Sequence, residues 1–171
     1  MDQRDSTTAL GFEDVYVRHA DPVYRFCLSQ LREPAAAEDV AADVFASAFA
    51  AYPSRRLDEG DVRPWLFRIA RNAVIDRQRH ARVHARFMRT QRVEPDHQDV
   101  ERTAEIRQTL SAVLAAVGQL GRRDRLLVGL RIAAGLPYAE IGAVLQMNEN
   151  AARMATHRAL EKVRREVRSD S

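Results

Sequence analysis

Six residues in WLFRIARNAVIDRQRH, the stretch from Trp65 to His80, combine aromatic rings with groups that bind anions: Trp65, Phe67, Arg68, Arg71, Asn72 and Arg79. Rings stack on unpaired bases and guanidinium groups follow a phosphate backbone, so this mixture on one helix carries the chemistry of a single-stranded nucleic-acid site. Trp65 also has a plainer reading, because a lone Trp on an apolar stripe serves as core. A second set lies in NENAARMATHRALEKVRR, from Asn148 to Arg165. Asn150 and Arg153 have side chains suited to purine edges in a major groove, while Arg158, Lys162, Arg164 and Arg165 suit phosphates.

Other reactive groups lead less far. His80 and His84 are four apart and can hold a metal on one helix face, but the arginines around them disfavour a cation, and a solvated pair is the competing reading. The single cysteine, Cys27, excludes an internal disulfide and a Cys-based zinc site. It sits in the apolar run VYRFCL and reads as a buried, inert thiol, with a redox sensor as the alternative. No Gly-rich phosphate loop, His/Cys cluster or nucleophile motif stands in the sequence, so no catalytic residue, cofactor or metal is expected.

The elements that must position these groups read as helices. Only 7 Gly and 6 Pro occur in 171 residues, 46% of which are apolar, and no strand-like alternation persists. Phe12, Val15, Tyr16, Val23, Phe26, Cys27 and Leu31 recur at helical spacings. Asp21-Pro22 fits a helix start, with Asp as cap and Pro in the first turn. Pro34, Glu38 and Asp39 open another helix, with Val40, Val44, Phe45, Ala48 and Phe49 as its apolar side and Pro53 as its end. The stretch from Pro53 to Asp61 reads as a loop around a mobile Gly60. Asp61 is placed to cap a third helix, which turns Trp65, Leu66, Ile69, Ala70 and Ala73 toward a core and aligns Arg79, Arg82, Arg86 and Arg89 on one face.

Residues from about Thr90 to Arg102 lack helical periodicity and carry Pro95, which marks a linker. Ile106, Leu110, Val113, Leu114 and Val117 then form a stripe that Gly121 breaks, and Leu126, Leu127 and Leu130 form another that Gly135 stops. A short helix from Pro137 to Leu145, a turn at Gln146-Met147-Asn148 and a last helix capped by Asn148 and running to about Val167 make a helix-turn-helix. Ile141, Val144, Leu145 and Met147 face inward, Gly142 sits where the helices touch, and Glu149, Asn150, Arg153, Met154 and His157 face out. A hairpin that merely packs is the competing reading. Gln146 stands where Gly is usual, and Ala151, Ala152 and Ala155 stand where larger apolar anchors are usual.

Charge is distributed in blocks. Residues 1–61 hold six Arg against twelve acids, residues 63–92 nine Arg against Asp76 alone, residues 93–121 two Arg against five acids, and residues 122–168 nine Arg and Lys162 against five acids. Two basic blocks between acidic ones fit two phosphate-facing surfaces, although charge alone does not distinguish DNA, RNA and anionic membrane. The N-terminus MDQRDSTTAL lacks the basic start and apolar run of a secretory signal, and no segment approaches the roughly 20 apolar residues of a membrane span. A cytoplasmic protein without membrane insertion is expected.

Three segments, in order, resemble one family: AAAEDVAADVFASAFAAY, WLFRIARNAVIDRQRH, and LGRRDRLLVGLRIAAGLPYAEIGAVL with the helix that follows it. Over nearly its whole length the chain resembles a bacterial RNA polymerase sigma factor of the extracytoplasmic-function (ECF) subfamily. The resemblance implies an all-α fold of two small helical domains joined by a flexible linker: a region 2-like domain at 1–89, a linker at 90–103, and a region 4-like helix-turn-helix domain at 104–171. It implies binding to core RNA polymerase through the β′ clamp and β flap, promoter recognition and melting, and a stress or environmental regulon.

Residue by residue, the resemblance gives Glu38, Asp39 and Asp43 to the polymerase clamp, with Asp43 where the family often has Glu and Ala42 where it often has Gln. It gives Trp65, Arg68, Arg71, Asn72, Asp76 and Arg79 to the minus-ten element. Ser54, Arg55, Arg56, Leu57, Asp58, Glu59, Gly60 and Asp61 occupy the loop that captures a flipped base. Tyr138, Glu149, Asn150, Arg153, His157 and Arg158 fall to the minus-thirty-five element. There Ala151-Ala152-Arg153 replaces the common Thr-Val-Lys, Leu160 follows Ala159 in place of the common Arg, and Pro137 replaces a usual Ser. An anti-sigma protein covering both DNA-binding faces is a further implied partner. A stand-alone helix-turn-helix regulator that never meets polymerase is the alternative, and it leaves the first half idle. An enzyme such as a metal-dependent nuclease is a third class.

Overall fold

The computed structural model describes residues 11–54, 57–87 and 104–169, and all regular structure among them is helical. The chain divides into two compact units, residues 1–77 and 78–171. The linker expected at 90–103, Arg55 and Arg56 of the expected loop, and Arg89 lie outside the described residues, as do the side chains of His84, Arg86, Ile106 and Leu110.

In the first unit, α1 (Phe12–Leu31) packs on α2 (Pro34–Ala51). Their apolar residues explain the pairing: Val15, Val23, Phe26 and Cys27 of α1 are buried, as are Ala36, Ala37, Val40, Val44 and Ala48 of α2. The alanines let the two backbones approach closely. Arg32, in the left-handed conformation (φ 63°), returns its N–H to the Leu28 carbonyl at 2.8 Å and ends α1, and Pro34 then starts α2.

α1 corrects the expected helix start at Asp21-Pro22, since Pro22 lies inside a continuous helix. Proline removes one N–H donor from the ladder. Buried apolar positions stand on both sides of that point, Val15 before it and Val23, Phe26 and Cys27 after it, and burying them outweighs one lost hydrogen bond. Asp21 pairs with Arg25 at 3.1 Å instead of capping.

α3 (Glu59–Phe87) follows a short 3₁₀ turn at Tyr52–Ser54. It begins two residues before the expected cap, so Glu59, Gly60 and Asp61 belong to its first turn and not to a loop. Asp61 donates its N–H to the Asp58 carbonyl at 2.9 Å, and Glu59 pairs with Arg18 of α1 at 2.7 Å. Phe67 of α3 meets Phe26 edge-to-face, with centroids 5.7 Å apart and both rings fully buried. Such a pair contributes about 0.5–1.5 kcal/mol beyond burial.

The second unit comprises α4 (Ala104–Gln119), α5 (Arg122–Val128), a π-helical turn (Gly129–Ala133), α6 (Tyr138–Leu145) and α7 (Glu149–Ser169). α7 packs against α4, α5 and α6. Leu120, Val128 and Ala159 form part of its core, with Val117, Leu160 and Val163 at the margin. Leu114, expected on the stripe, is 45% exposed, whereas Ala116 and Leu120 are buried among the described residues. Arg125 donates to the carbonyls of Gly118 and Leu120, both at 2.9 Å, and so satisfies the end of α4.

Candidate nucleic-acid interface

The helix-turn-helix closes through three local features. Gln146 takes the left-handed conformation that ends α6 (φ 58°, ψ 48°), the role for which Gly is usual. Asn148 Oδ1 accepts the Ala151 N–H at 2.7 Å and its carbonyl accepts the Ala152 N–H at 3.0 Å, which starts α7. Gly142 lies against the turn: a Cβ there would stand 2.6 Å from the Met147 carbonyl oxygen. The close contact is therefore between α6 and the turn backbone, not between the two helices alone.

Inside the motif, Ile141 and Val144 are fully buried, while Leu145 and Met147 are half-buried. The anchors of α7 are small. Ala152 and Ala159 are buried, and between them Thr156 is 0% exposed, its hydroxyl donating to the Ala152 carbonyl at 2.8 Å. Sequence reading did not single out Thr156. Its spacing of four from Ala152 and three from Ala159 was the available signal.

Outward from this support stand Glu149, Asn150, Arg153, Met154, His157 and Arg158, all exposed. Arg153 pairs with Glu149 at 2.8 Å. Its guanidinium carbon also lies 5.6 Å from the centre of the half-buried Tyr138 ring, and that of Arg131 lies 4.7 Å from the same ring. Arg131 in turn donates to the Leu136 carbonyl at 3.0 Å. Arg131 was also missed from sequence. The reversal at Gly135 (φ +69°), which brings residues 131 and 138 together, was its only trace.

On α3, Arg68, Asn72, Asp76 and Arg79 are exposed at spacings of three and four, forming one polar face. Arg71 is half-buried beside that face. Trp65 is 5% exposed, as its core reading expects, and Phe67 is fully buried, so neither is a base platform and Trp65 leaves the minus-ten set. Trp65 does share the angular face of Arg68 and Asn72, but the 3₁₀ turn covers it there, with Tyr52 at 6.1 Å between centroids. Of the expected base-capturing loop, Ser54 is exposed and tied back to the Ala51 carbonyl at 2.9 Å, Leu57 is half-buried and Asp58 is exposed.

On α2, Glu38, Asp39 and Asp43 are all exposed on the side away from the core. Among the described residues, none of the three forms an ion pair, so their charge is directed to solvent. Burial pushes the Cys27 thiol up to about 12, consistent with an inert core residue. His80 is exposed, and no group of three or more His, Cys, Asp and Glu stands together among the described residues. No helix among them is long and apolar enough to cross a membrane.

Two family models match the chain in this order: Sigma-70 region 2 at residues 15–83 and Sigma-70, region 4 at residues 110–163. The chain is 36% identical over 162 residues to the RNA polymerase sigma factor CarQ of Myxococcus xanthus, covering 90% of this chain and 87% of that protein. It is 29% identical over 175 residues to the ECF RNA polymerase sigma factor BldN of Streptomyces coelicolor, covering all of this chain and 66% of that longer relative. The fold resembles that of the sigma factor RpoE of Bartonella quintana, solved with the anti-sigma factor NepR. The TM-score is 0.74 at 19% identity, covering 94% of this chain and 98% of that one. A stand-alone regulator would not require the region 2 half, so the match to both regions does not favour that alternative. With the two sigma-70 regions matched in sequence and CarQ similar over most of its length, the chain belongs to the ECF RNA polymerase sigma factors, which act with RNA polymerase.

Proposed function

We propose that the chain docks on core RNA polymerase through Glu38, Asp39 and Asp43, and grips a promoter at two separated places. Residues 1–89 and 104–171 are the two working domains, joined by the linker at 90–103. The exposed face of α3, Arg68, Asn72, Asp76 and Arg79 with Arg71 beside it, holds the minus-ten strand. Residues 54–61 flank it as the base-capturing segment. The start of α7 enters the major groove of the minus-thirty-five element, where Asn150 and Arg153 read bases, His157, Glu149 and Tyr138 border the contact, and Arg158 meets phosphate.

The observation that carries this reading is the exposed, Asn148-capped start of α7 with Asn150, Arg153 and His157 on its outer side, inside the region 4 match. The chain itself makes and breaks no bonds; melting is driven by preferential binding of the open form of DNA. It works in the cytoplasm, where polymerase is. We also propose that an anti-sigma protein holds the chain inactive, by analogy with the NepR-bound relative.

Gel filtration of the chain with core polymerase tests the docking: a one-to-one complex is expected, and separate elution would defeat it. For the inhibitor, purification from unstressed cells should bring down a stoichiometric second protein. Recovery of the chain bound only to polymerase would count against that part.

A further inference from the structure

Two guanidinium groups converge on one ring in the second unit, an arrangement that base reading by α7 does not by itself require. Arg131 lies 4.7 Å and Arg153 5.6 Å from the centre of the Tyr138 ring, both within cation–π range. Each cation has a second restraint. Arg131 donates to the Leu136 carbonyl at 3.0 Å, and Arg153 pairs with Glu149 at 2.8 Å. The backbone makes the convergence possible: the π-helical turn Gly129–Ala133 carries Arg131, and Gly135 at φ +69° reverses the chain so that α6 begins with Tyr138 beneath it. π-helical turns recur at functional sites.

We infer that Arg131 and Tyr138 are positioning residues that hold the Arg153 side chain in place for reading a base. The inference rests on the proposal that α7 reads the minus-thirty-five duplex. An exposed Arg has a long, mobile stem, and fixing it on binding costs rotamer entropy. A ring on one side and the Glu149 carboxylate one turn back restrict that freedom before DNA arrives, so less of it is lost at the complex. Arg131 fixes the ring, and the Leu136 carbonyl fixes Arg131. Arg131 thus acts on recognition through two intervening contacts, with no need to touch a base.

The test uses polymerase holoenzyme assembled with the full chain, and duplexes carrying every single-base substitution across the upstream promoter element. Arg153→Ala should flatten discrimination at one or two positions. Tyr138→Leu and Arg131→Lys should weaken discrimination at those same positions by roughly two- to fivefold, the scale of an exposed cation–π contact. Tyr138→Phe, which keeps the ring, should keep wild-type discrimination at those positions, whatever loss of the hydroxyl does to overall affinity. The Tyr138→Leu/Arg153→Ala double variant should be no worse than Arg153→Ala alone.

Arg131→Lys separates positioning from phosphate binding, because lysine keeps the charge but not the planar stack. Uniform weakening across all sites, or intact discrimination in Tyr138→Leu and Arg131→Lys while Arg153→Ala loses it, would overturn the inference and leave the DNA-reading helix standing. If Arg153→Ala changes no position, the reading role of Arg153 fails and this inference fails with it. Should Tyr138→Leu not fold, Arg131→Lys and Tyr138→Phe still decide the matter.

Discussion

A Cβ on Gly142 would stand 2.6 Å from the carbonyl oxygen of Met147, while the Met147 N–H donates to the Gly142 carbonyl at 2.9 Å. The two residues lock α6 to the turn from both directions, and the obstacle to a side chain is backbone that cannot swing away. Gly142→Ala should therefore destabilise the second unit by about 1–3 kcal/mol from overpacking, against a helix-propensity gain of about 1 kcal/mol. Thermal unfolding followed by circular dichroism checks this. An unchanged or raised melting temperature would mean that the turn relaxes freely.

Asp39 and Asp43 point their charge at solvent, so reversing it should spare the fold and harm only the encounter with polymerase. In the Asp39→Lys/Asp43→Lys variant, affinity for core polymerase should fall on the order of tenfold, with a changed salt dependence. Stability should stay within about 0.5 kcal/mol of wild type for each change. Titration of labelled core polymerase at two salt concentrations measures it. Wild-type affinity would remove this face from the interface.

Trp65 is the single tryptophan, and it is buried against the 3₁₀ turn. Its emission should be blue-shifted in the native chain and should not be quenched by a single-stranded oligonucleotide. Trp65→Ala should cost about 3–5 kcal/mol through the cavity it leaves. Strong quenching of the native chain by the oligonucleotide, together with near wild-type stability of Trp65→Ala, would restore the base-platform reading.

Cys27 gives a pH signature. Its thiol is raised from 9.0 to about 12 in the folded chain, so the unfolded state releases the proton first. The contribution to stability is fully present below about pH 9 and is lost progressively as pH rises toward about 12. Denaturant midpoints in that range should fall less steeply for Cys27→Ala than for wild type. Parallel slopes would show that the thiol is not protected.

The helices and the helix-turn-helix were legible because their signals are local. The spacing of Ile141, Val144 and Leu145, and the capping chemistry of Asn148, depend on near neighbours. Pro22 and Asp61 misled for the complementary reason. The local rule for a helix start is sound, but tertiary burial of the α1 stripe carried that helix through Pro22. The helix start at Glu59, whose side chain meets Arg18 from far along the chain, displaced the cap expected at Asp61. Of the two readings of Trp65, core and base platform, the core reading holds; helical periodicity could not choose between them, because it does not reveal that Tyr52 covers the first turn. The contact of Arg131 with Tyr138 has no periodic signal, since it arises from a π-helical turn and a chain reversal.

The central claim, a sigma factor that grips promoter DNA in two places, is tested most directly by mapping transcript starts. The purified chain and core RNA polymerase would be supplied with a library of randomised promoters. The account predicts initiation well above core polymerase alone, from templates sharing two upstream motifs at a fixed separation, with Arg153→Ala altering only the upstream motif. Starts no more frequent or more selective than with core polymerase alone would contradict it.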